Sequence, residues 1–407
     1  MSTHAVWLTL AALPLVAWLY LLFFHGGVWG GFWRTEKTPD SISPASHSSA
    51  PIATETWPEI VVVIPARDEV DVIGKAVASL LNQDYPLAPT IVMVDDGSRD
   101  GTATTALEAA RAAANHAPDR LDIVTGAPRP PGWSGKVWAM RQGAARAAAL
   151  RPDAKYILFT DADIEHHPSN LRELTARAEA NQLDLTSLMV RLATGHLWER
   201  LLMPPFVFFF RKLYPFPWVN DPTKSTAAAA GGCMLVRRAT LDASGGLDAI
   251  RGALIDDCAL ADLLKHASPA KGRLWLGLSE RTRSIRSYDG LRGVWNMVAR
   301  GAFTQLRYSP TLLAGTVLGM ALLYLAPPLG LIATPIHGSP GIATISAAAW
   351  TLMTIAAAPT YKIYGQRWCH ALWLPVAAAF FTAMTVDSAW RHWRGRGGGW
   401  KGRTYSL

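Results

Sequence analysis

Four long apolar runs constrain this chain most, because each approaches the length needed to cross a bilayer. A helix of about 20 apolar residues spans the ~30 Å hydrocarbon core of a membrane. The runs are residues 5–24, 311–334, 341–358 and 371–386, and the last is somewhat short. The first run is uncharged and too long for a typical cleaved signal peptide. The sequence therefore predicts one N-terminal transmembrane helix (1–25) and a C-terminal transmembrane region (309–390) with two or three helices.

Composition and charge agree with a membrane protein. Half of the 407 residues are hydrophobic, 17 are tryptophan, and the formal net charge is +8. In a membrane protein this charge suits anionic lipid and phosphate-bearing substrates better than nucleic acid, so no nucleic-acid partner is expected. The cysteines, Cys233, Cys258 and Cys369, are far apart and support neither a disulfide framework nor a zinc site.

The basic residues indicate the orientation of the chain. Lysine and arginine first appear after the first run, at Arg34 and Lys37, so the positive-inside rule places the following domain in the cytoplasm, at the inner membrane. Residues 26–57 are predicted to be a linker. The basic tail, 391–407, carries five lysines or arginines and would lie outside if all three C-terminal runs crossed. This conflict leaves open that one run is re-entrant or interfacial.

Between residues 58 and 308 short apolar runs alternate with helix-like stretches, which predicts an α/β domain with a mostly parallel sheet. Strands are expected at 59–65, 90–96, 121–126 and 156–163, and helices near 70–82, 101–115 and 136–150. Ligands of such sheets gather beyond the carboxyl ends of the strands. Most of these strands end in charged residues, so we expect the binding site there.

An aromatic segment with prolines, residues 198–218, stands out within this domain. It carries Arg200, Arg211 and Lys212. We predict that it lies in the bilayer interface, with its cations towards lipid phosphates. The alternative is a buried core segment of the domain.

Two aspartates, Asp161 and Asp163, lie at the end of the fourth predicted strand. Like charges held close together repel, and burial would raise their pKa values unless a cation neutralises them. Their hard oxygen ligands suit Mg²⁺ or Mn²⁺ shared with a diphosphate. Taken alone, the pair could equally begin a helix, where acidic residues are favoured.

Four stretches in this order resemble the family 2 glycosyltransferases: "VVVIPARDE" (61–69), "IVMVDDGSRDGT" (91–102), "GWSGKVWAMRQGAARA" (132–147) and "ILFTDAD" (157–163). The resemblance covers about 58–308 and implies a GT-A fold, a nucleotide-sugar donor and inversion at the anomeric carbon. The stretches 231–265, 286–310 and 395–403 are similar to the hopene-associated glycosyltransferases. That similarity implies a lipid acceptor, possibly a hopanoid, and the wider family favours a UDP-sugar.

The resemblance also implies roles for individual residues. Pro65, Ala66 and Glu69 match the turn that holds the nucleobase and ribose, and Asp96 matches the carboxylate at the base or ribose. Gly97 then allows a tight turn. Arg67 and Asp68 could instead form a solvated salt pair on the loop. Asp95 could instead cap the following turn.

Lys136 follows a Gly- and Pro-rich loop but does not fit a phosphate-loop motif, because Val137 stands where serine or threonine is required. It is expected either to face an anion at a helix N-terminus or to be solvated.

The resemblance places Asp161 at the ribose or metal and Asp163 on the metal. His166 and His167 are interpreted as helix-start or surface residues.

An inverting transfer needs a general base. In "ALIDDCALA" (253–261), Asp256 and Asp257 match the acidic pair of the family, and its second member, Asp257, is the predicted base. A helix cap is the structural alternative.

"QLRY" (305–308) departs from a Gln-x-x-Arg-Trp signature, which favours the addition of one sugar or a few. A polyprenyl-phosphate glycosyltransferase and a non-catalytic membrane scaffold remain the alternative functions.

Overall fold

The computed structural model describes residues 3–25, 41–42, 56–113, 117–266, 272–397, 399–400 and 403–404. The predicted linker, 26–57, therefore lies almost wholly outside the described residues. The chain divides into two compact units. The α/β unit comprises Glu36–Ala193, Phe216–Arg286 and Gly399–Leu407, and the helical unit comprises Met1–Thr35, Thr194–Pro215 and Ser287–Gly398.

One mixed sheet organises the α/β unit. Its described strands are β1 (Ser41–Ile42), β2 (Ile60–Ala66), β3 (Thr90–Asp95), β4 (Leu121–Thr125), β5 (Tyr156–Phe159), β6 (Ile164–Glu165), β7 (Leu185–Arg191), β8 (Met234–Arg237) and β9 (Leu274–Ser284). Their order is β1-β9-β7-β8-β5-β2-β3-β4, and β6 pairs with β9. Only β8 and β6 run antiparallel to their neighbours. The predicted mostly parallel sheet and its four expected strands are confirmed.

Helices are numbered along the whole chain. Those of the α/β unit are α2 (Val70–Leu81), α3 (Thr102–Ala112), α4 (Gly135–Leu150), α5 (Asn170–Ala180), α7 (Phe216–Asn220), α8 (Arg238–Ala243) and α9 (Asp256–His266). Every residue of β2 is buried, as expected for a parallel strand that is covered on both faces. The apolar face of α2, with Ile73, Val77 and Leu80, packs into the same core cluster.

The helical unit consists of α1 (Thr3–Phe23), α6 (Leu197–Leu213), α10 (Gly290–Ala299), α11 (Ala302–Gln305), α12 (Pro310–Met320), α13 (Ala326–Ile332), α14 (Thr334–His337), α15 (Pro340–Ile363) and α16 (Leu374–Trp393). Among the residues that the structure describes, three continuous stretches are long and apolar enough to cross a membrane: Pro310–Ile332, Pro340–Ile363 and Trp368–Trp393. They coincide with the three C-terminal runs. Helix α1 contains a shorter apolar stretch, Trp7–Phe23. The side of the membrane that each end faces stays a prediction.

The aromatic segment 198–218 is mainly the single helix α6, and two of its four prolines, Pro204 and Pro205, lie inside that helix. Phe208 is fully buried, in a cluster with Trp18 and Tyr324. This packing assigns residues 194–215 to the helical unit. Its position in a bilayer interface stays a prediction.

Candidate active site

The predicted site residues converge at one edge of the sheet. Strands β2, β3 and β5 are parallel, so their carboxyl ends meet at this edge. Strand β8 is antiparallel to β5, and Met234 pairs with Phe159. The loop before β8 therefore reaches the same edge, although it lies about 70 residues further along the chain.

The first part of the site is the turn after β2. Pro65 and Ala66 pair with Val94 and Asp95 of β3. The backbone N–H of Glu69 donates to Thr102 Oγ1 at 2.8 Å. These contacts hold the Glu69 end of the turn against the start of α3.

The second part is the turn after β3. Asp96 is 4% exposed, and its N–H donates to the Ala66 carbonyl at 2.9 Å. Gly97 has a φ of +73°, which confirms the tight turn predicted at this glycine. Asp95 Oδ1 accepts the Ser98 N–H at 2.8 Å, so this carboxylate stabilises the turn.

Arg67 differs from the expected solvated salt pair. Its side chain is buried, and its guanidinium donates to the backbone carbonyl of Asp96 and lies 3.5 Å from Asp96 Oδ2. Only Asp68 is substantially exposed, at 3.7 Å from Arg67. The interpretation as a surface pair was wrong for Arg67, because its guanidinium bridges the first two turns.

Lys136, at the start of α4, lies among carboxylates. Its Nζ is 2.7 Å from Asp161 Oδ1 and 3.0 Å from Asp256 Oδ2. Burial lowers the pKa of Lys136, but the charges of Asp161 and Asp256 outweigh it and hold that pKa above its ordinary value. The solvated alternative for this lysine was wrong. The ammonium joins Asp161 of the Asp-x-Asp pair to Asp256, the neighbour of the predicted base.

Asp257 lies in the first turn of α9. Its Oδ2 accepts the N–H of Gly231 at 2.9 Å, and its Oδ1 accepts the N–H of Cys258 at 2.7 Å. A Cβ at Gly231 would lie 3.1 Å from Lys136 Nζ and 3.3 Å from Asp257 Oδ2, so glycine permits this close approach. Desolvation and the charge of Asp256 raise the pKa of Asp257 to about 6, against the opposing effect of Lys136. A carboxyl with this pKa can accept a proton near neutral pH.

Asp163 is 8% exposed, and residues at the end of β9 contact its carboxylate. Its Oδ2 accepts a hydrogen bond from Ser284 Oγ at 2.6 Å and lies 3.4 Å from Arg286 Nε. The same guanidinium donates to the Glu69 carboxylate. Sequence reasoning missed both Ser284 and Arg286. Neither carries a local motif, and their pairing with Asp163 arises only from the antiparallel contact of β6 and β9.

The two histidines have structural partners. His166 is 3% exposed, which makes the surface interpretation wrong for this residue. Its ring nitrogens lie 2.9 Å from Thr160 Oγ1 and 2.9 Å from Asn170 Nδ2. Burial lowers its pKa to about 3, so the ring stays neutral. The His167 ring contacts Ser169, just before α5.

The residues that replace the Gln-x-x-Arg-Trp signature lie in the helical unit. Gln305 Nε2 donates to the Tyr214 hydroxyl. Arg307 and Tyr308 have φ values of 51° and 55°, a left-handed turn that directly precedes α12.

The charges at the sheet edge indicate what the site can bind. Apart from the exposed Asp68, the contacting set contains six carboxylates and three cations: Glu69, Asp96, Asp161, Asp163, Asp256 and Asp257, with Arg67, Lys136 and Arg286. The formal excess of three negative charges disfavours an anionic diphosphate unless further positive charge enters with it.

A divalent cation fits this requirement. Mg²⁺ and Mn²⁺ are commonly held by one or two carboxylates together with substrate phosphates. Asp161 and Asp163 offer such oxygens, and within the described ranges no group of three or more His, Cys, Asp or Glu side chains is arranged to hold a metal by itself. The donor set therefore suits a cation that the substrate helps to bind.

Comparisons with known proteins agree with this architecture. Residues 61–244 match the model of "Glycosyl transferase family 2". No curated protein sequence matches the chain significantly. Among solved structures, the chain is similar to a mannosyltransferase from Pyrobaculum calidifontis, in complex with GDP-Man and Mn²⁺, at 19% identity over 94% of this chain and 99% of that one, with a TM-score of 0.52.

Two other structures resemble only part of the chain. A glucosyl-3-phosphoglycerate synthase from Mycobacterium tuberculosis, in complex with Mn²⁺, UDP-glucose and phosphoglyceric acid, has 19% identity, covering 61% of this chain and 79% of that one, with a TM-score of 0.38. A mannosyl-3-phosphoglycerate synthase from Rubrobacter xylanophilus has 18% identity, covering 62% and 77%, with a TM-score of 0.36. The family model matches residues 61–244, and the mixed, mostly parallel sheet is of the GT-A type.

Proposed function

We propose that this chain is a membrane-bound inverting glycosyltransferase that transfers a sugar from a nucleotide-sugar donor to a lipid hydroxyl. The observation that carries the proposal is the linked group at the carboxyl edge of the sheet. Lys136 contacts both Asp161 and Asp256, next to a carboxyl group at Asp257 whose pKa is raised to about 6. A donor-binding acid and a proton acceptor thus share one edge, as an inverting transfer requires.

The chain's own residues account for the steps of this reaction. Asp257 accepts the proton of the acceptor hydroxyl while the oxygen of that hydroxyl bonds to the anomeric carbon. The bond from that carbon to the diphosphate oxygen breaks in the same displacement, which inverts the configuration. Lys136 holds Asp256 and so fixes the start of α9, which carries the base. Glu69 and Asp96 bind the nucleoside.

A Mg²⁺ or Mn²⁺ ion at Asp161 and Asp163 would neutralise negative charge on the departing nucleoside diphosphate. The net negative charge of the residues that surround these two aspartates supports this role. The UDP-sugars remain the expected donors.

The acceptor is proposed to be a lipid at the cytoplasmic face of the inner membrane. The support is the set of three apolar helices long enough to cross a bilayer. The similarity of residues 231–265 and 286–310 to hopene-associated glycosyltransferases favours a hopanoid or another polyisoprenoid-derived lipid.

The deciding experiment is mass spectrometry of membrane lipids from cells with the chain, without it, and with Asp163→Ala. A glycolipid that is present only with the wild-type chain would identify acceptor and sugar together. Identical lipid profiles in all three strains, with no hydrolysis of nucleotide sugars by purified protein and Mn²⁺, would contradict the proposal.

A second experiment, a transfer assay with Asp257→Asn and polyprenyl phosphate, separates the acceptor classes. A polyprenyl phosphate already carries an ionised nucleophile and has little need of a base. Retained transfer to polyprenyl phosphate by Asp257→Asn would therefore identify that class of acceptor instead of a lipid hydroxyl.

A further inference from the structure

Arg286 joins two parts of the candidate site that the sequence presents as separate. Its guanidinium donates to the carboxylate of Glu69, in the turn after β2. Its Nε lies 3.4 Å from Oδ2 of Asp163, the second aspartate of the Asp-x-Asp pair. One side chain therefore contacts both the proposed nucleoside end and the proposed metal end of the donor site.

The two carboxylates are much less accessible to water than the guanidinium between them. The side chains of Glu69 and Asp163 are 7% and 11% exposed, whereas that of Arg286 is 29% exposed. Two poorly hydrated carboxylates would repel each other without a cation. Arg286 supplies that positive charge from within the chain.

A guanidinium is suited to exchange partners at such a place. It has five N–H donors in a rigid fork and can contact carboxylate or phosphate oxygens with similar geometry. Ser284 Oγ also donates to Asp163 Oδ2, at 2.6 Å. Asp163 would therefore keep a hydrogen-bond donor if Arg286 moved away.

A divalent cation and Arg286 would compete for the same carboxylate. A cation at Asp163 would place its charge close to the guanidinium, and like charges repel strongly in a partly buried site. A donor diphosphate reduces this competition, because its phosphate oxygens can replace the carboxylates as partners of the guanidinium.

We propose that Arg286 is an internal counter-ion of the donor site: it holds Glu69 and Asp163 together before the donor binds and contacts the diphosphate afterwards. The inference rests on the proposed function, since it takes the ligand to be a nucleoside diphosphate with a divalent cation. It assigns Arg286 as a binding residue and makes no claim about proton transfer.

The proposal predicts that loss of Arg286 changes two affinities in opposite directions. Replacing Arg286 by glutamine removes the competing charge, so Mn²⁺ alone should bind about threefold to tenfold more tightly. The same change removes a cationic partner of the diphosphate, so UDP or GDP with Mn²⁺ should bind about tenfold to a hundredfold more weakly. Loss of structure would weaken both.

The test uses the full chain purified in detergent. Free Mn²⁺ is measured by electron paramagnetic resonance during titration with the metal alone, and binding of UDP and of GDP at saturating Mn²⁺ is measured by calorimetry. Wild type, Arg286→Gln and Arg286→Lys are compared. Arg286→Lys keeps the charge, so its affinity for Mn²⁺ alone should stay within about twofold of wild type.

Arg283→Gln is the matched control. Arg283 lies on β9, and its guanidinium contacts Glu165 at 2.9 Å, in a pair that is largely exposed. Removing it changes the net charge by the same amount without touching Glu69 or Asp163. Both affinities of this variant should stay within about twofold of wild type.

The outcomes separate the two proposals. Wild type that binds neither UDP nor GDP with Mn²⁺ would overturn the proposed function and this inference together. Wild-type binding with unchanged nucleotide affinity in Arg286→Gln, or weaker binding of Mn²⁺ alone, would overturn the role of Arg286 only. If Arg286→Gln does not fold, Arg286→Lys decides: weaker UDP or GDP binding with unchanged Mn²⁺ supports the role, and unchanged nucleotide binding overturns it.

Discussion

The two units of this protein bury their cations in different ways. In the α/β unit, Lys136 contacts two carboxylates, and Lys265 donates to four backbone carbonyls, those of Trp218, Val219, Asp221 and Thr226, at 2.6–3.3 Å. In the helical unit, Lys212 donates to the Tyr324 hydroxyl at 2.9 Å and lies 4.9 Å from that ring and 5.5 Å from the ring of Phe209.

The difference indicates what each kind of site does. A cation surrounded by carboxylates leaves strong uncompensated charge when it is removed, and it can exchange these partners for an anionic substrate. A cation against aromatic faces gains less from each contact, and its removal leaves no buried opposite charge. We therefore expect substitutions in the charged site and at the buried lysines of the α/β unit to lower activity or stability most, and a substitution of Lys212 to lower stability least.

The largest effect should follow loss of the base. Asp257→Asn should lower transfer to a hydroxyl acceptor by about 10²- to 10⁴-fold, because the amide cannot take a proton. Its effect on the thermal midpoint is mixed: the loss of one charge from a set with excess negative charge is stabilising, whereas the amide can accept only one of the N–H groups of Gly231 and Cys258. A transfer assay with membrane lipid and nucleotide sugar measures the effect.

Asp262→Asn is the control for this variant. Asp262 lies on the same helix, but its side chain is 70% exposed and pairs with His266 across one turn. Its activity should match wild type. Equal activity of Asp257→Asn and Asp262→Asn would mean that Asp257 is not the base.

The second prediction concerns pH and Lys136. Because desolvation raises the pKa of Asp257 to about 6, and a base acts when deprotonated, wild-type kcat should fall as the pH drops through about 6. Lys136 opposes that rise. Lys136→Met should therefore move the acid limb to higher pH and lower kcat at neutral pH by about tenfold or more.

The measurement is a kcat–pH profile at saturating donor, so that weaker donor binding does not enter. Lys75→Met, at an exposed position of α2, serves as the control. An acid limb of Lys136→Met that coincides with wild type would show that Lys136 does not tune the base.

The third prediction tests the carbonyl cage of Lys265. Lys265→Met removes the shared donor of four buried or part-buried carbonyl groups, so the free energy of unfolding should fall by about 3 kcal/mol. The thermal midpoint of the purified chain should drop clearly, while Lys224→Met, an exposed lysine of the caged loop, should leave it unchanged. A midpoint of Lys265→Met within a degree of wild type would contradict this.

The smallest effect is expected in the helical unit. Lys212→Met removes one hydrogen bond to a phenol and two ring contacts, and methionine keeps most of the apolar contact with those rings. Stability should change by no more than about 1 kcal/mol. A loss as large as that of Lys265→Met would remove the distinction between the two units.

The elements of the α/β unit could be predicted closely from the sequence. The run "EIVVVIP" predicted a strand at 59–65, and the structure has β2 at Ile60–Ala66. Alternation of apolar runs with alanine-rich stretches gives the element type, because burial on both faces requires continuous apolar residues. The predicted grouping of Glu69, Asp96 and Asp161 at one edge follows from parallel strands, whereas Asp257 was predicted from the family resemblance.

The partners of these residues were not predictable in the same way. Nothing near Asp163 in the chain indicates Ser284 or Arg286, which lie about 120 residues away and arrive through strand pairing. Lys136 was expected to face an anion or water, and the anions are carboxylates of the chain itself. The alternatives for Arg67 and His166 failed for the same reason: burial depends on neighbours distant in sequence.

The sequence by itself determined the order of elements, the apolar helices and the carboxylates that follow the parallel strands, because periodicity and strand ends are local properties. Only the tertiary structure decided which cation neutralises which carboxylate, and how far Asp257 is removed from water. Charge pairing and desolvation depend on distances across the sheet edge, and these are set only when β8, β9 and α9 pack beside β5.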